Sequence, residues 1–176
     1  MISAKVFAPL ACLLALALPV SAQTTPTVAD PTQLRPLNQD SSLLSMRGGR
    51  RLLAEASAAI QAQNYTLAVT KLQQARQVFN QISNLYQQLS ASFSGIDNRT
   101  ADILRSGAVD AAEQRDEATY QLALVHRAQN QPELSVPLLV QVIRSQNPTT
   151  DLGKKAYAQL LELGFVNDAT STTSTR

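Results

Sequence analysis

The chain has 176 residues, with 15 Lys and Arg, 13 Asp and Glu and one histidine, for a formal charge of +2. That length suffices for one domain with a sizeable core. So small a positive excess argues against nucleic acid or an anionic membrane as the main partner, since both are bound largely through surplus Lys and Arg.

The N-terminus, "MISAKVFAPLACLLALALPVSAQT", has the pattern of a secretory signal. Lys5 supplies the positive start, Val6 to Leu18 the apolar stretch, and Val20-Ser21-Ala22 the small residues before a cut at Gln23. The competing reading is a retained membrane helix. The run from Val6 to Val20 contains Pro9 and is only 15 residues long, short of the ~20 a span needs. Cleavage removes the only cysteine, Cys12, and Lys5, leaving a formal charge of +1. A mature chain without cysteine meets no disulfide requirement in an oxidising compartment.

Four segments follow from composition. Residues 1–22 are the cleaved signal peptide. Residues 23–40 carry prolines at 26, 31 and 36 among polar residues and are expected to be a disordered linker. Residues 41–166 form the folded, all-α domain, where Ala, Leu, Gln and Arg favour helix. Residues 167–176, "NDATSTTSTR", are a disordered tail.

The first helix is announced by "SMRGGRRLL" (45–53), in which Gly48-Gly49 interrupts the pattern at a helix cost of about 1 kcal/mol each relative to alanine. On one reading, the glycines permit close approach to a neighbour or mark the helix start. On the other, Arg47, Arg50 and Arg51 form a candidate anion contact, with backbone and guanidinium groups brought close to a carboxylate or other anion. Next, Ala68, Leu72, Ala75, Phe79, Ile82, Tyr86, Leu89 and Phe93 are spaced 4-3-4-3-4-3-4. This spacing predicts one unbroken helix of roughly 28 residues with a heptad seam. After a break at "SGIDN" (94–98), Leu104, Ala108, Ala111, Arg115, Ala118, Leu122 and Val125 repeat the pattern. The two seams predict a long antiparallel hairpin. Asp151 to Gly164 is expected to be a closing helix, with Thr149 or Thr150 as its N-cap and Gly164 as its stop.

A phrase also recurs: "AQNYTLAVTKLQQA" (62–75) returns as "AQNQPELSVPLLVQV" (128–142). Ala68 and Ala75, Ala101 and Ala108, and Ser135 and Val142 are pairs seven apart, and the steps from 68 to 101 to 135 are 33 and 34 residues. That period, with small Ala56 and Ala59 before the turn, resembles the tetratricopeptide repeat (TPR), a helix–turn–helix unit. The likeness covers about 50–93 and 115–165, and the middle copy departs from it at Arg105, Gly107, Leu89 and Ser92. The Gln-rich helices, the near-neutral charge and "SNLYQQLSASFSGIDNR" are also similar to uncharacterised exported proteins of oxygenic photosynthetic bacteria.

The TPR resemblance implies a concave, partner-binding face lined by the first helix of each repeat. Here that face would offer Arg50, Leu53, Ser57 and Gln61, then Tyr120, Leu124 and Arg127. The family's carboxylate clamp has Lys and Asn where Leu53 and Ser57 stand, so binding of acidic chaperone tails is not implied.

Catalytic chemistry has little to stand on. His126 is placed inside by the repeat alignment and is expected to be a packed residue with one hydrogen bond. Glu113, Asp116 and Glu117 in "AEQRDEA" put only two carboxylates on one helix face and are expected to be solvated. No metal-ligand or phosphate-loop spacing occurs, and no cofactor is expected. "NYT" (64–66) and "NRT" (98–100) match the glycosylation acceptor at predicted turns, which matters only in a eukaryotic secretory route.

The leading expectation is therefore an exported, non-catalytic adaptor or assembly factor in the periplasm or thylakoid lumen. It would bind another protein or an extended peptide, with no nucleic acid and no membrane anchor after cleavage. The alternative is a structural subunit that forms a homo-oligomer through its long hairpin, favoured by an exposed strip including Leu85, Leu89 and Phe93. A third reading, an enzyme using His126, requires that residue to be accessible beside a carboxylate.

Overall fold

A computed structural model describes residues 42–167. The expected signal peptide, the expected proline-rich linker and most of the expected tail lie outside the described residues. Within them every regular element is a helix: α1 (Met46–Gln61), α2 (Tyr65–Phe93), α3 (Asn98–Ala128), α4 (Pro132–Gln146) and α5 (Asp151–Glu162). Each helix packs chiefly on the next in the chain, so α2 carries α1 and α3, and α4 joins α3 to α5.

Side-chain chemistry sets the helix starts. Ser45 Oγ accepts from Gly48 N at 2.9 Å, Asn64 Oδ1 from Leu67 N at 3.1 Å, Asp97 Oδ1 from Thr100 N at 3.1 Å and Thr150 Oγ1 from Gly153 N at 3.1 Å. Each satisfies one amide the helix itself leaves unpaired. At α4 no side chain caps, and Pro132 stands at the first helical position, where an absent N–H costs nothing.

The recurring phrase encodes a stop. Gln63 and Asn130 take left-handed φ of 55° and 58°. Asn64 N then reaches back to Ala59 O, and Gln131 N to His126 O, each at 2.9 Å, which closes the helix end in a Schellman turn. Helices end at 61 and 128 and begin again at 65 and 132, so the structural repeat is 67 residues. Burial follows the same offset: Leu52 and Thr119, Ala56 and Ala123, Ala59 and His126, Ala68 and Ser135, Leu72 and Leu139, and Ala75 and Val142 are all buried. Small residues dominate because the two helices of each hairpin approach closely along this line.

The long hairpin forms as the heptads predict, with α2 of 29 residues and α3 of 31, each over 40 Å at about 1.5 Å per residue. The predicted seam of α2 nevertheless fails at its far end. Ala68 to Ile82 are buried, but Leu89 and Phe93 are 37% and 38% exposed. Ser83 and Ser90 are buried in their place, donating to Ala108 O at 2.9 Å and Ala101 O at 2.8 Å. The reason is that α1 begins only at Met46, beside Ile82, Leu85 and Tyr86. Past that point α2 has, among the described residues, α3 alone as a neighbour, and its buried side rotates toward α3.

Of the two readings of Gly48-Gly49, close approach is the one the packing carries. A Cβ on Gly48 would strike the carbonyls of Ser42 and Leu43, and one on Gly49 would lie 2.5 Å from the fully buried Phe79 ring. The "AEQRDEA" stretch also differs from expectation. Glu113 is exposed, but Asp116 is completely buried. Its carboxylate is tied to Arg115 and to Ser145 and Gln146 at the end of α4.

Candidate functional site

The C-terminal halves of α1 and α3 lie side by side on α2 and leave a shallow groove of about 330 Å³ between them. Ser57, Ile60 and Gln61 form one wall, and Tyr65, opening α2, closes the end. Gln121, Leu124, Val125 and Ala128 form the other wall. The groove is mostly apolar because its floor is the edge of a core cluster: Val125 belongs to the buried group of Ala56, Ala59, Ala68, Leu72 and Leu122, and Ile60 and Tyr65 pack against it.

Polar side chains enter at Ser57, Gln61 and Gln121. Gln121 Nε2 donates to Glu117 Oε1 at 2.9 Å, while the buried Oε1 of Gln121 has no hydrogen-bond partner. A buried carbonyl without a donor is uncommon.

Of the seven residues expected on a concave face, Ser57, Gln61 and Leu124 meet in this groove. Leu53 is half-buried between two core clusters. Arg50 lies toward the other end of α1, in a recess with Arg47, Tyr86 and Leu85. Tyr120 packs on the α4–α5 cluster, where burial first, and the Glu117 and Glu162 charges after it, raise its phenol pKa. Arg127 pairs with Glu162 Oε2 at 2.6 Å and donates to Gln159, both on α5. Tyr120 and Arg127 thus turn toward α5 while Gln121, Leu124 and Ala128 turn toward α1.

The three candidate anion-contact arginines divide. Arg47 and Arg50 share the recess beside Tyr86. Arg51 lies 3.8 Å from Glu55, whose carboxyl is held below the usual range mainly by its hydrogen bond with Lys71, at 2.6 Å. His126 is 9% exposed, with Nδ1 3.0 Å from Gln131 Oε1, an amide rather than a carboxylate partner. Among the described residues no group of three or more His, Cys, Asp and Glu side chains is placed to hold a metal ion, and no helix is long and apolar enough to cross a membrane.

Ile60, Tyr65, Gln121 and Ala128 of the groove are not among the residues expected on a binding face, and Val125 is expected only in the α3 seam. Helical spacing carried part of the signal, since 57, 60 and 61 share a face, as do 121, 124, 125 and 128. That these two faces meet depends on how both helices sit on α2. No family model matches the chain, and comparison with curated proteins and with solved structures finds no match.

Proposed function

We propose that the protein is an exported, non-catalytic interaction module that docks another protein, or an extended segment of one, in the groove between α1 and α3. The groove itself carries the reading, as a mostly apolar channel edged by the Ser57, Gln61 and Gln121 side chains. An extended polypeptide fits this chemistry, because it offers apolar side chains for the walls and backbone polar groups for the Ser57 and Gln61 side chains at the edge. The 67-residue repeat, which places the first helix of both hairpins beside the groove, supports a TPR-like arrangement. The amide partner of His126 supports a non-catalytic role. The signal-like pattern of the N-terminal sequence supports export, with the periplasm or thylakoid lumen as destination.

The test is affinity capture from the native exported fraction by the chain starting at Gln23, beside a Leu124→Arg variant. A defined protein retained by the first and lost by the second, with both equally folded, would sustain the reading. Equal retention by both would remove the groove from it. A second reading, a helical subunit that self-associates through its hairpin, is favoured by one observation: Leu85, Leu89 and Phe93 are all exposed. Light scattering on the same sample separates the two, since this reading requires a stable homo-oligomer that Leu89→Glu dissociates.

A further inference from the structure

A second groove, of about 350 Å³, lies where α2, α3 and α4 meet. Its lining is Gln73, Arg76, Gln77 and Asn80 of α2, Arg115 of α3 and Gln141 of α4. Each of these side chains ends in an amide or a guanidinium group. Arg76 Nη2 donates to Gln141 Oε1 at 3.1 Å, but its buried Nε has no partner. Burial foremost, then the like charge of Arg115, pull the Arg76 pKa below its ordinary value, with Asp116 opposing them.

Asp116 is committed elsewhere. Its Oδ1 accepts from Arg115 Nε at 2.9 Å and lies 2.8 Å from Arg115 Nη2, while Oδ2 accepts from Ser145 Oγ at 2.6 Å and Gln146 Nε2 at 2.7 Å. The internal repeat indicates what this carboxylate is for. Sixty-seven residues earlier, Gly49 stands at the Asp116 position and Phe79 at the Gln146 position, and the two fill the equivalent space with a ring against a glycine. An apolar solution to the same packing exists in the same molecule, and buried charge is a weak source of net stability. What Asp116 adds is the orientation of Arg115, whose Nη2 also donates to Ser145 Oγ at 2.9 Å. Its guanidinium is thereby held at the wall of the groove that Arg76 shares.

We propose that this groove binds a compact oxyanion, a carboxylate or phosphate group, between Arg76 and Arg115, with the surrounding Gln and Asn amides donating to its other oxygens. Guanidinium groups suit such ligands because their planar N–H forks match two oxygens at once. The oxyanion would meet the guanidinium edges that line the groove and offset two like charges that share a single carboxylate. Arg144, which lines an adjoining groove with Arg115 and Gln141, adds positive field at the entrance. Asp116 is a positioning residue in this arrangement. The oxyanion could be a free small molecule or an acidic side chain of a bound polypeptide.

The experiment is an NMR titration of the exported chain with inorganic phosphate, with succinate and with a capped glutamate peptide, each against chloride at constant ionic strength. Saturable shifts at the Arg76 and Arg115 side-chain resonances are expected. Arg76→Gln should weaken binding about tenfold or more, which is about 1.4 kcal/mol, with Arg76→Lys falling between. The melting midpoint of Arg76→Gln should hold or rise, because a like charge beside Arg115 is gone. If that variant does not fold, Gln73→Glu, at an exposed lining position, serves instead, since its own carboxylate would compete for the site. Response to phosphate or succinate supports a free anion, and response to the peptide alone supports an acidic side chain. No saturable response to any of the three, or an undiminished response in Arg76→Gln or Gln73→Glu, would overturn the proposal.

Discussion

The two ends of the α2–α3 hairpin are built from one heptad pattern and packed by different means. At the near end, α1 and α4 cover it, and Leu72, Phe79, Leu122 and Leu139 are enclosed among small residues. At the far end, among the described residues, two helices have only each other. They meet through Ser83, Ser90, Ala101 and Ala108, while Leu89, Phe93 and Ile96 stay exposed, Ile96 by 84%. A seam of apolar residues is thus a request for burial that a helix can meet only where a third element lies against it. The number of neighbours decides the core, and pattern alone does not.

The largest test of this contrast compares two leucines. Leu72→Ala should cost about 2–5 kcal/mol by opening a cavity among residues that cannot collapse. Leu89→Ala, from the same predicted seam, should stay within about 0.5 kcal/mol. Urea unfolding of both variants checks this, and equal losses would mean that the far end is covered in solution by something beyond α3.

Two glycines sharpen it. Gly49→Ala drives a methyl group into the enclosed Phe79 ring, 2.5 Å away, and should destabilise by about 1–3 kcal/mol. Gly107→Ala meets the Tyr86 ring at 2.8 Å, but that ring is only half-buried and lines two open recesses, which leave room for it to shift. The helix preference for alanine, up to about 1 kcal/mol, should then bring the net change near zero. Thermal melts of the pair would show whether ring mobility, rather than contact distance, sets the outcome.

Smaller effects belong to the polar links of the far end. Ser90→Ala removes a hydroxyl that donates to Ala101 O at 2.8 Å and should cost about 0.5–1.5 kcal/mol. Hydrogen exchange should quicken between 83 and 108 and leave α1 and α4 unchanged. The smallest concerns acid. Hydrogen bonds from Thr100, its hydroxyl foremost, hold the Asp97 carboxyl below its ordinary pKa. A carboxylate depressed in the folded state stabilises above its unfolded pKa, and that contribution fades as pH falls through the folded value. The hairpin tip should therefore loosen in acid, and Asp97→Asn, which keeps the cap, should remove this dependence. Exchange rates at Thr100 and Ala101 across an acid series report it.

Much of the architecture was legible as sequence. Helix content, both long helices, the break at 94–98, the Thr150 cap and the Gly164 stop, at φ 76°, follow from local chemistry and period. So did the buried pairs seven residues apart. The candidate groove was legible only in part: Ser57, Gln61 and Leu124 lay on the right faces, but Leu53, Tyr120 and Arg127 pack or pair with neighbours that no single-helix pattern identifies.

By itself the sequence determined which residues form helices, where those helices stop, and which face of each is apolar, because these depend on neighbours three and four places away. Tertiary structure alone decided that Asp116 lies inside a network of α3 and α4, that the Gln121 carbonyl is left without a donor, that Arg76 and Arg115 share a groove, and that Leu89 and Phe93 stay outside. Each of these depends on which helix lies alongside and where that helix begins. A chain position carries its own preference for burial, whereas the partner that fulfils or refuses it comes from tens of residues away.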